Sequence, residues 1–576
     1  MGGNGQLDIV GGSESAGVIF AALLFLLTPT APQRQTVRQQ PSLARIEQLY
    51  KQHHYQQLLD LVPASPGAPP AFDLYRGLAL ARLKQWQEAR EALLAGRGKA
   101  PKDERFLVEL AGVEFSTQNF ETAKNDLRKA LALDPKDVYA RNFLATIYFL
   151  TGNLEAAIAN WNRIGQPRIT GLLMQPQPRL RPALLRRAIV IPPIGELRFS
   201  DLRDAQARLE NLDLFSRYRF ELMPLSRGDY ELDFISEERN GWGSSKLEAL
   251  ASILRDLPYA IDPAYYNIGG SAMNFVSYLR WNENRRRIAA SFSRPLGDDP
   301  RWRFSLAEDA RNENWNLRRT FSGSVVPLSD LNLESIAFGP ELREVVNGKW
   351  AWQTRLVYAY RRFRNVRDVS IAALPFFTSG NSLETRFRVD SRLLDLPGRR
   401  LTLDAKFRAA AGRNFAPSLG AFGSLEASLA LEWLPKPLGQ DYHTSLEFRA
   451  GRVFGRATLD QLYELGVERD NNLWVRGISG IRGGFKGNAP LGREFALWNW
   501  ETDKTVFHSL YVTIQVGPFM DIGRVWDPSG DFGSRFWLWD PGLQCSFRVF
   551  GDVVVRISYG RDLHSGQGAF YESASR

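Results

Sequence analysis

The 576-residue chain holds one cysteine, Cys545, and five histidines. A single thiol forms no intramolecular disulfide and builds no cysteine-based zinc site. The histidines show no HExxH spacing; His53 and His54 are simply adjacent in a helical stretch. A metal hydrolase or a Ser-His-Asp enzyme is hard to assemble from this inventory, so the expectation is a protein that is not an enzyme, with no catalytic residue, cofactor or metal ligand. Long apolar runs are equally scarce. "GVIFAALLFLL" (17–27) has signal-peptide length and falls short of the roughly 20 residues that a spanning helix needs. "TPTAPQ" follows with small residues that offer a cleavage point near Ala31, although Asp8 and Glu14 stand where Lys or Arg is expected. Residues 1–31 read as a signal peptide. Charge of one sign is not concentrated either. The net +10 comes from 73 Lys and Arg interspersed with 63 Asp and Glu, so the excess by itself says little about nucleic acid, and no nucleic-acid partner is expected.

What is present falls into three regions. Residues 42–165 repeat: "WQEAREALLAGRGKAPKD" from Trp86, "FETAKNDLRKALALDPKD" from Phe120 and "LEAAIANWNRI" from Leu154 align without gaps. Ala89, Ala123 and Ala157 recur every 34 residues, as do Pro101 and Pro135. A small residue where two helices touch, with Pro closing the second helix at that period, is the tetratricopeptide pattern. Such repeats stack into a concave surface for peptides or partner proteins and carry no chemistry.

Residues 167–239 change character. "RITGLLM" is strand-like, "RPALLRRAIV" is a helix that stops before Pro192-Pro193, and "FSDLRDAQARLENL" is a second helix with Leu202, Ala205, Leu209 and Leu212 on one face. "YRFELMPL" and "DYELDFISEE" then alternate as two strands about a turn at Ser226-Arg227-Gly228. The order is β-α-α-β-β, in a small α+β module.

A linker over 240–266 leads to a third region, 267–576, in which alternation takes over. In "LETRFRVDSRL", Leu383, Phe387, Val389 and Leu393 oppose Arg386, Arg388 and Asp390; "LTLDAKFRA" and "SLEASLALEW" behave alike. Recurrent runs near ten residues, apolar on one face, charged on the other, with Trp and Tyr near their ends, form the pattern of a transmembrane antiparallel β-barrel. Counting runs gives 14 to 16 strands, taken as about 16. Closure satisfies every backbone group inside the bilayer, as an open sheet cannot.

Between two of these strands lies "NNLWVRGISGIRGGFKGN" (471–488), basic and rich in glycine. It lacks GxxxxGK[ST] and no helix follows, so a phosphate cradle is disfavoured. On this loop the chain resembles the POTRA-plus-barrel superfamily, the bacterial surface antigen family. Val475, Arg476 and Gly477 match its Val-Arg-Gly-aromatic loop motif, with Ile478 in place of the aromatic; Ile481-Arg482-Gly483 is a competing register. "GPFMDIGRVW" supplies the family's Asp-x-Gly as Asp521 and Gly523. The resemblance implies a POTRA module at 167–239 and a loop folded into the lumen with Arg476 on Asp521. Physics agrees that a lumen-facing arginine needs a carboxylate. Family members usually finish on an aromatic residue, whereas here Phe570 and Tyr571 precede a polar tail.

The resemblance implies an outer-membrane protein, its N-terminal domains in the periplasm, that inserts or translocates polypeptides. Its partners would be an unfolded or extended polypeptide client, an accessory protein held by the repeats, and outer-membrane lipid. A POTRA offers a strand edge to an extended chain, which makes Tyr218, Phe220 and Leu222 the candidate client contacts. The rival is a passive export pore for polysaccharide or surface lipoprotein, and the β-α-α-β-β order discriminates between them.

Overall fold

The computed structural model describes residues 42–225, 228–239, 260–318, 327–367, 373–416, 418–435, 442–509, 512–528, 532–549 and 553–575. The expectations on residues 1–31 and on the turn at Ser226-Arg227 lie outside them.

Eight helices come first: α1 (Leu43–Lys51), α2 (Tyr55–Leu61), α3 (Pro70–Arg82), α4 (Trp86–Lys99), α5 (Glu104–Ser116), α6 (Phe120–Leu133), α7 (Val138–Leu150) and α8 (Leu154–Trp161). The 34-residue spacing has a direct structural counterpart. Ala89, Ala123 and Ala157 are fully buried where paired helices meet. Asp103, Asp137 and Asn153 cap α5, α7 and α8 by accepting backbone N–H bonds. Lys84, Gln118 and Gly152, again 34 apart, each adopt the left-handed conformation that turns one helix into the next, at φ 60°, 63° and 73°. Only the last is a glycine, so composition does not reveal this repeat.

The module follows as β1 (Arg168–Gln175), α9 (Pro182–Ala188), β2 (Gly195–Glu196), α10 (Phe199–Leu212), β3 (Phe215–Pro224) and β4 (Tyr230–Glu238). Apart from the two-residue β2, this is a β-α-α-β-β order. The sheet runs β2-β1-β4-β3, with β1 parallel to β4 and β3 at one end, antiparallel to β4. The module and the last repeats share one apolar core, which extends from Leu127, Tyr148 and Trp161 to Leu209 and Phe234. Tyr230 on β4 packs against Phe149 and Trp161 with ring centroids 5.9 and 5.5 Å apart.

The barrel wall contains β5 (Ala260–Ile261), β6 (Ala264–Ile268), β7 (Met273–Trp281), β8 (Arg285–Leu296), β9 (Asp299–Arg318), β10 (Pro327–Asn347), β11 (Trp350–Arg364), β12 (Gly380–Leu396), β13 (Leu401–Asn414), β14 (Ala421–Trp433) and β15 (Tyr442–Gly455). Within the next loop are the short pieces β16 (Tyr463–Glu464), β17 (Ile481–Arg482), β18 (Phe485–Lys486) and β19 (Leu491–Gly492). The wall resumes with β20 (Glu494–His508), β21 (Val512–Trp526), β22 (Leu538–Val549), β23 (Val553–Arg561) and β24 (Gly568–Ser575). The barrel is closed through eighteen segments. Two of these belong to the loop and β5 with β6 form one split strand, which leaves fifteen wall strands among the described residues.

The wall begins earlier than residue 267. Ala260, Ile261, Ala264 and Tyr265 already pair with β7. Asp262-Pro263 breaks this strand in two, because proline donates no ladder bond, and the break hides its alternation. Elsewhere period two is kept: Leu356, Phe387, Leu425, Leu429 and Leu446 are all exposed on the outer face. An apolar belt of that extent is a lipid-facing surface, with the charged residues of the same strands turned to the lumen.

The helical array and the module sit on one rim of the barrel through polar contacts. Asn211 of α10 donates to the Pro300 carbonyl at 2.9 Å, and the Gly348 N–H donates to Asp204 at 2.7 Å. Asn153 of α8 donates to the Pro397 carbonyl at 2.9 Å. Arg203 of α10 bonds Glu155 of α8 and Asp395 of β12 at once, at 2.9 and 2.8 Å. Helix α10 thus lies under the lumen.

Candidate functional site

The site is the loop between β15 and β20, folded inward and tied to the wall at two places. The first tie is built from Arg476, which is 3% exposed, and Asp521 on β21, which is fully buried. Arg476 Nε and Nη2 donate to the two Asp521 oxygens at 2.8 and 2.7 Å, and the Arg476 backbone N–H adds a third bond at 2.8 Å. The remaining guanidinium nitrogen reaches Glu501 on β20 at 2.8 Å and Gln544 on β22 at 2.7 Å, and the group lies 3.7 Å over the Phe519 ring. A planar fork with five donors is suited to such a bidentate pair. Arg476 is the register that reaches the wall; Arg482 lies exposed in the β17–β18 hairpin.

The neighbours of Arg476 explain the rest of the motif. A side chain at Gly477 would come within 2.5 Å of Asp540 and 2.6 Å of the Asp562 backbone, so only glycine lets the loop press this close. Opposite it, a Cβ on Gly560 of β23 would meet the Arg476 carbonyl at 2.7 Å. Val475 packs over Gly523, and Ile478 lies with it in an apolar cluster that includes Leu465, Leu473 and Leu497.

The second tie was not legible in the sequence. Asp470 accepts from Arg280 of β7 at 2.9 Å and from Arg287 of β8 at 2.5 Å. Glu468 pairs with Arg285 at 3.2 Å and with Lys486 at 3.4 Å. Burial works against the Asp470 charge, but Arg280 and Arg287 outweigh it and hold the carboxyl below its usual range. Glu464 is different: burial, and then the charge of Glu468, push it up to about 8. Trp474 meets Tyr571 of β24 at 5.5 Å between centroids. Within about ten residues the loop touches strands on both sides of the β24–β5 seam. "GVERDN" (466–471) carried a weak signal, in that a tract with Glu468 and Asp470 lies beside the loop arginines.

The candidate client contacts come out differently. Phe220 and Leu222 are buried and belong to the shared core, and Tyr218 packs on Phe215 and Phe234 with its hydroxyl at 3.3 Å from Glu210. Alternation on β3 marks the face turned to the helices, so in this structure these side chains pack in the module core and are not presented at its surface. The outward positions are Arg217, Arg219, Glu221 and the exposed Met223. Among the described residues no group of His, Cys, Asp and Glu is arranged to hold a metal ion.

A tetratricopeptide-repeat family model matches residues 115–164. The array is a tetratricopeptide domain. Among solved structures, the chain is similar to BamA from Haemophilus ducreyi lacking POTRA domains 1–3, at 13% identity over 71% of this chain and 84% of that one, with a TM-score of 0.43. It is similar to CdiB from Escherichia coli at 14% identity over 71% and 76%, with a TM-score of 0.46. CdiB from Acinetobacter baumannii gives 13% over 81% and 86%, with a TM-score of 0.42. No curated protein matches. Tetratricopeptide domain, α/β module, closed barrel and lumen-tied arginine together fit the resemblance to the bacterial surface antigen superfamily.

Proposed function

We propose that this is an outer-membrane protein that inserts or translocates polypeptides, with its tetratricopeptide domain and POTRA-like module in the periplasm. The supporting observation is the placement of a sheet edge beside a pore. Strand β3, ten residues long, ends the module sheet and pairs only with β4 among the described residues. The module packs against the lumen rim through α10. An extended client would add to β3 through its backbone, and the tetratricopeptide domain would hold that client or an accessory protein. The lumen is occupied by the tied loop, so passage requires the loop or the seam to yield. Nothing in this reading needs a chemical step.

The test is to block the strand edge and keep the β3–β4 ladder. The Leu225 N–H bonds the Asp229 carbonyl, so in this register Met223, Glu221, Arg219 and Arg217 bond β4 and the N–H of Tyr218 points away from it. Tyr218→Pro removes that outward N–H, and Tyr218→Ala, which loses the ring but keeps the N–H, is the control. A host that carries the proline variant, still inserted, should lose assembly or export of its client polypeptides while the alanine control retains it. Full activity would refute docking on the edge and favour a passive pore.

A further inference from the structure

The lumen wall opposite the loop carries a feature that a structural barrel would shed. Arginines stand directly across from arginines on neighbouring strands: Arg303 opposite Arg343, Arg355 opposite Arg386, and Arg388 opposite Arg408. Like charges in that position are destabilising. Some are compensated, Arg386 by Glu384, Arg388 by Asp390 and Arg408 by Glu426. Others are compensated only weakly. Arg355 stands across from Glu341 and Lys406 across from Asp390, yet neither forms an ion pair among the described residues, and Arg343 reaches Asp390 only at 3.9 Å. The buried Nε atoms of Arg343 and Arg355 have no hydrogen-bond partner. Burying donors in this way is costly unless something accepts from them.

These cations line open space. A cavity of about 270 Å³ between α10 and the rim is bordered by Arg343, Arg388 and Lys406, with six cations against three carboxylates around it. A second cavity, about 420 Å³, lies next along the wall and is bordered by Arg355, Arg386 and Arg408. Arg388 lines both, so the two abut. The path starts at the mouth beside the module and rises toward the loop. Its pitch is set by the strand: Arg386 and Arg388, two residues apart on β12, repeat at roughly 6.7 Å. Alternate side chains of an extended polypeptide repeat at the same distance.

We propose that Arg343, Arg355 and Lys406, with Arg386 and Arg388 between them, form a cationic track that receives the carboxylates of an acidic, extended polypeptide as it enters the lumen. This rests on the reading of the protein as a polypeptide translocator and names the chemistry of its client. Spacing favours a peptide over a phosphate polymer, because Arg386 and Arg388, each facing a further arginine, stand one β-strand pitch apart.

The experiment measures fluorescence anisotropy of short labelled peptides with the full-length protein in uncharged detergent. One peptide alternates Glu with Ser, and one alternates Lys with Ser. The acidic peptide should bind and the basic one should not. Arg355→Gln with Lys406→Gln should weaken binding by about tenfold or more, the loss expected for charge-assisted bonds. Arg286→Gln, on the outer face over Trp281, should change nothing. Absence of binding, equal binding of the basic peptide, or equal loss in Arg286→Gln would overturn the track. Polyphosphate binding more tightly than the acidic peptide would overturn the assignment of the occupant. Failure here with the Tyr218→Pro variant inactive would leave translocation standing and remove only the acidic preference.

Discussion

Replacing Arg476 by alanine tests whether the loop is a strut. The change removes both side-chain bonds to Asp521 and those to Glu501 and Gln544. Asp521 stays fully buried and keeps two donors, the backbone N–H of residue 476 at 2.8 Å and Asn499 Nδ2 at 2.7 Å. Breaking one side of a buried pair costs about 3–5 kcal/mol, and the two remaining donors put this case near 3. Asp521→Ala leaves Arg476 with Glu501 at 2.8 Å and its contact over Phe519, so a similar cost of about 3 kcal/mol is expected. Both substitutions remove the same contact, so the double variant should cost about 3–4 kcal/mol, not about 6. The readout is amide hydrogen exchange over residues 471–490 in the inserted protein, with retention of the heat-modifiable barrel band as the fold check. Each single variant should speed exchange there by roughly 10² and leave the wall strands protected. Additive effects, unchanged protection, or an equal effect of Arg482→Ala would refute the strut.

Two further outcomes follow from the geometry. The carboxyl of Glu464 is raised by burial and by Glu468, with Lys486, Glu313 and Asp470 acting on the same site and Arg285 pairing to Glu468. Because the folded state keeps its proton to about 8, while an unfolded glutamate releases it near ~4.3, loop anchorage should weaken as pH rises between those values and level off above. Protease sensitivity of the loop across that range should show this, and Glu464→Gln should flatten the profile. Separately, residues 42–239 should unfold in one transition, whereas 42–165 alone should be helical but less stable. Cutting at 165 uncovers Phe149 and Trp161, which pack on Tyr230. Equal midpoints on a thermal melt would contradict the shared core.

Period-two and 34-residue patterns made the barrel strands and the helical array legible, because both are set by which side chains face lipid or core. The split first strand was not, since Asp262-Pro263 interrupts the alternation over a short stretch. Arg476 and Asp521 could be paired only through a resemblance, as 45 residues and a strand separate them. Asp470 with Arg280, 190 residues apart, leaves only the weak trace of two acids beside the loop arginines: each is one charge among many on a lumen-facing strand or loop. Phe220 and Leu222 show the limit of alternation. It reported that β3 has two faces, but not that the apolar one packs on α10. For the same reason the union of the last repeat with the module escaped detection, because Trp161 and Tyr230 each read as core of their own domain.

That union has a mechanical side. Close-packed interiors are stiff and transmit strain, and here one such interior runs from the fifth helix to the module sheet. The same body grips several hairpins of the rim, through Asn211, Asp204, Asn153 and Arg203. It therefore works as a lever with its fulcrum on the barrel rim. A pull on the last repeats is delivered as torque to β9–β13, the strands that carry Arg343, Arg355 and Lys406, through one packed interior.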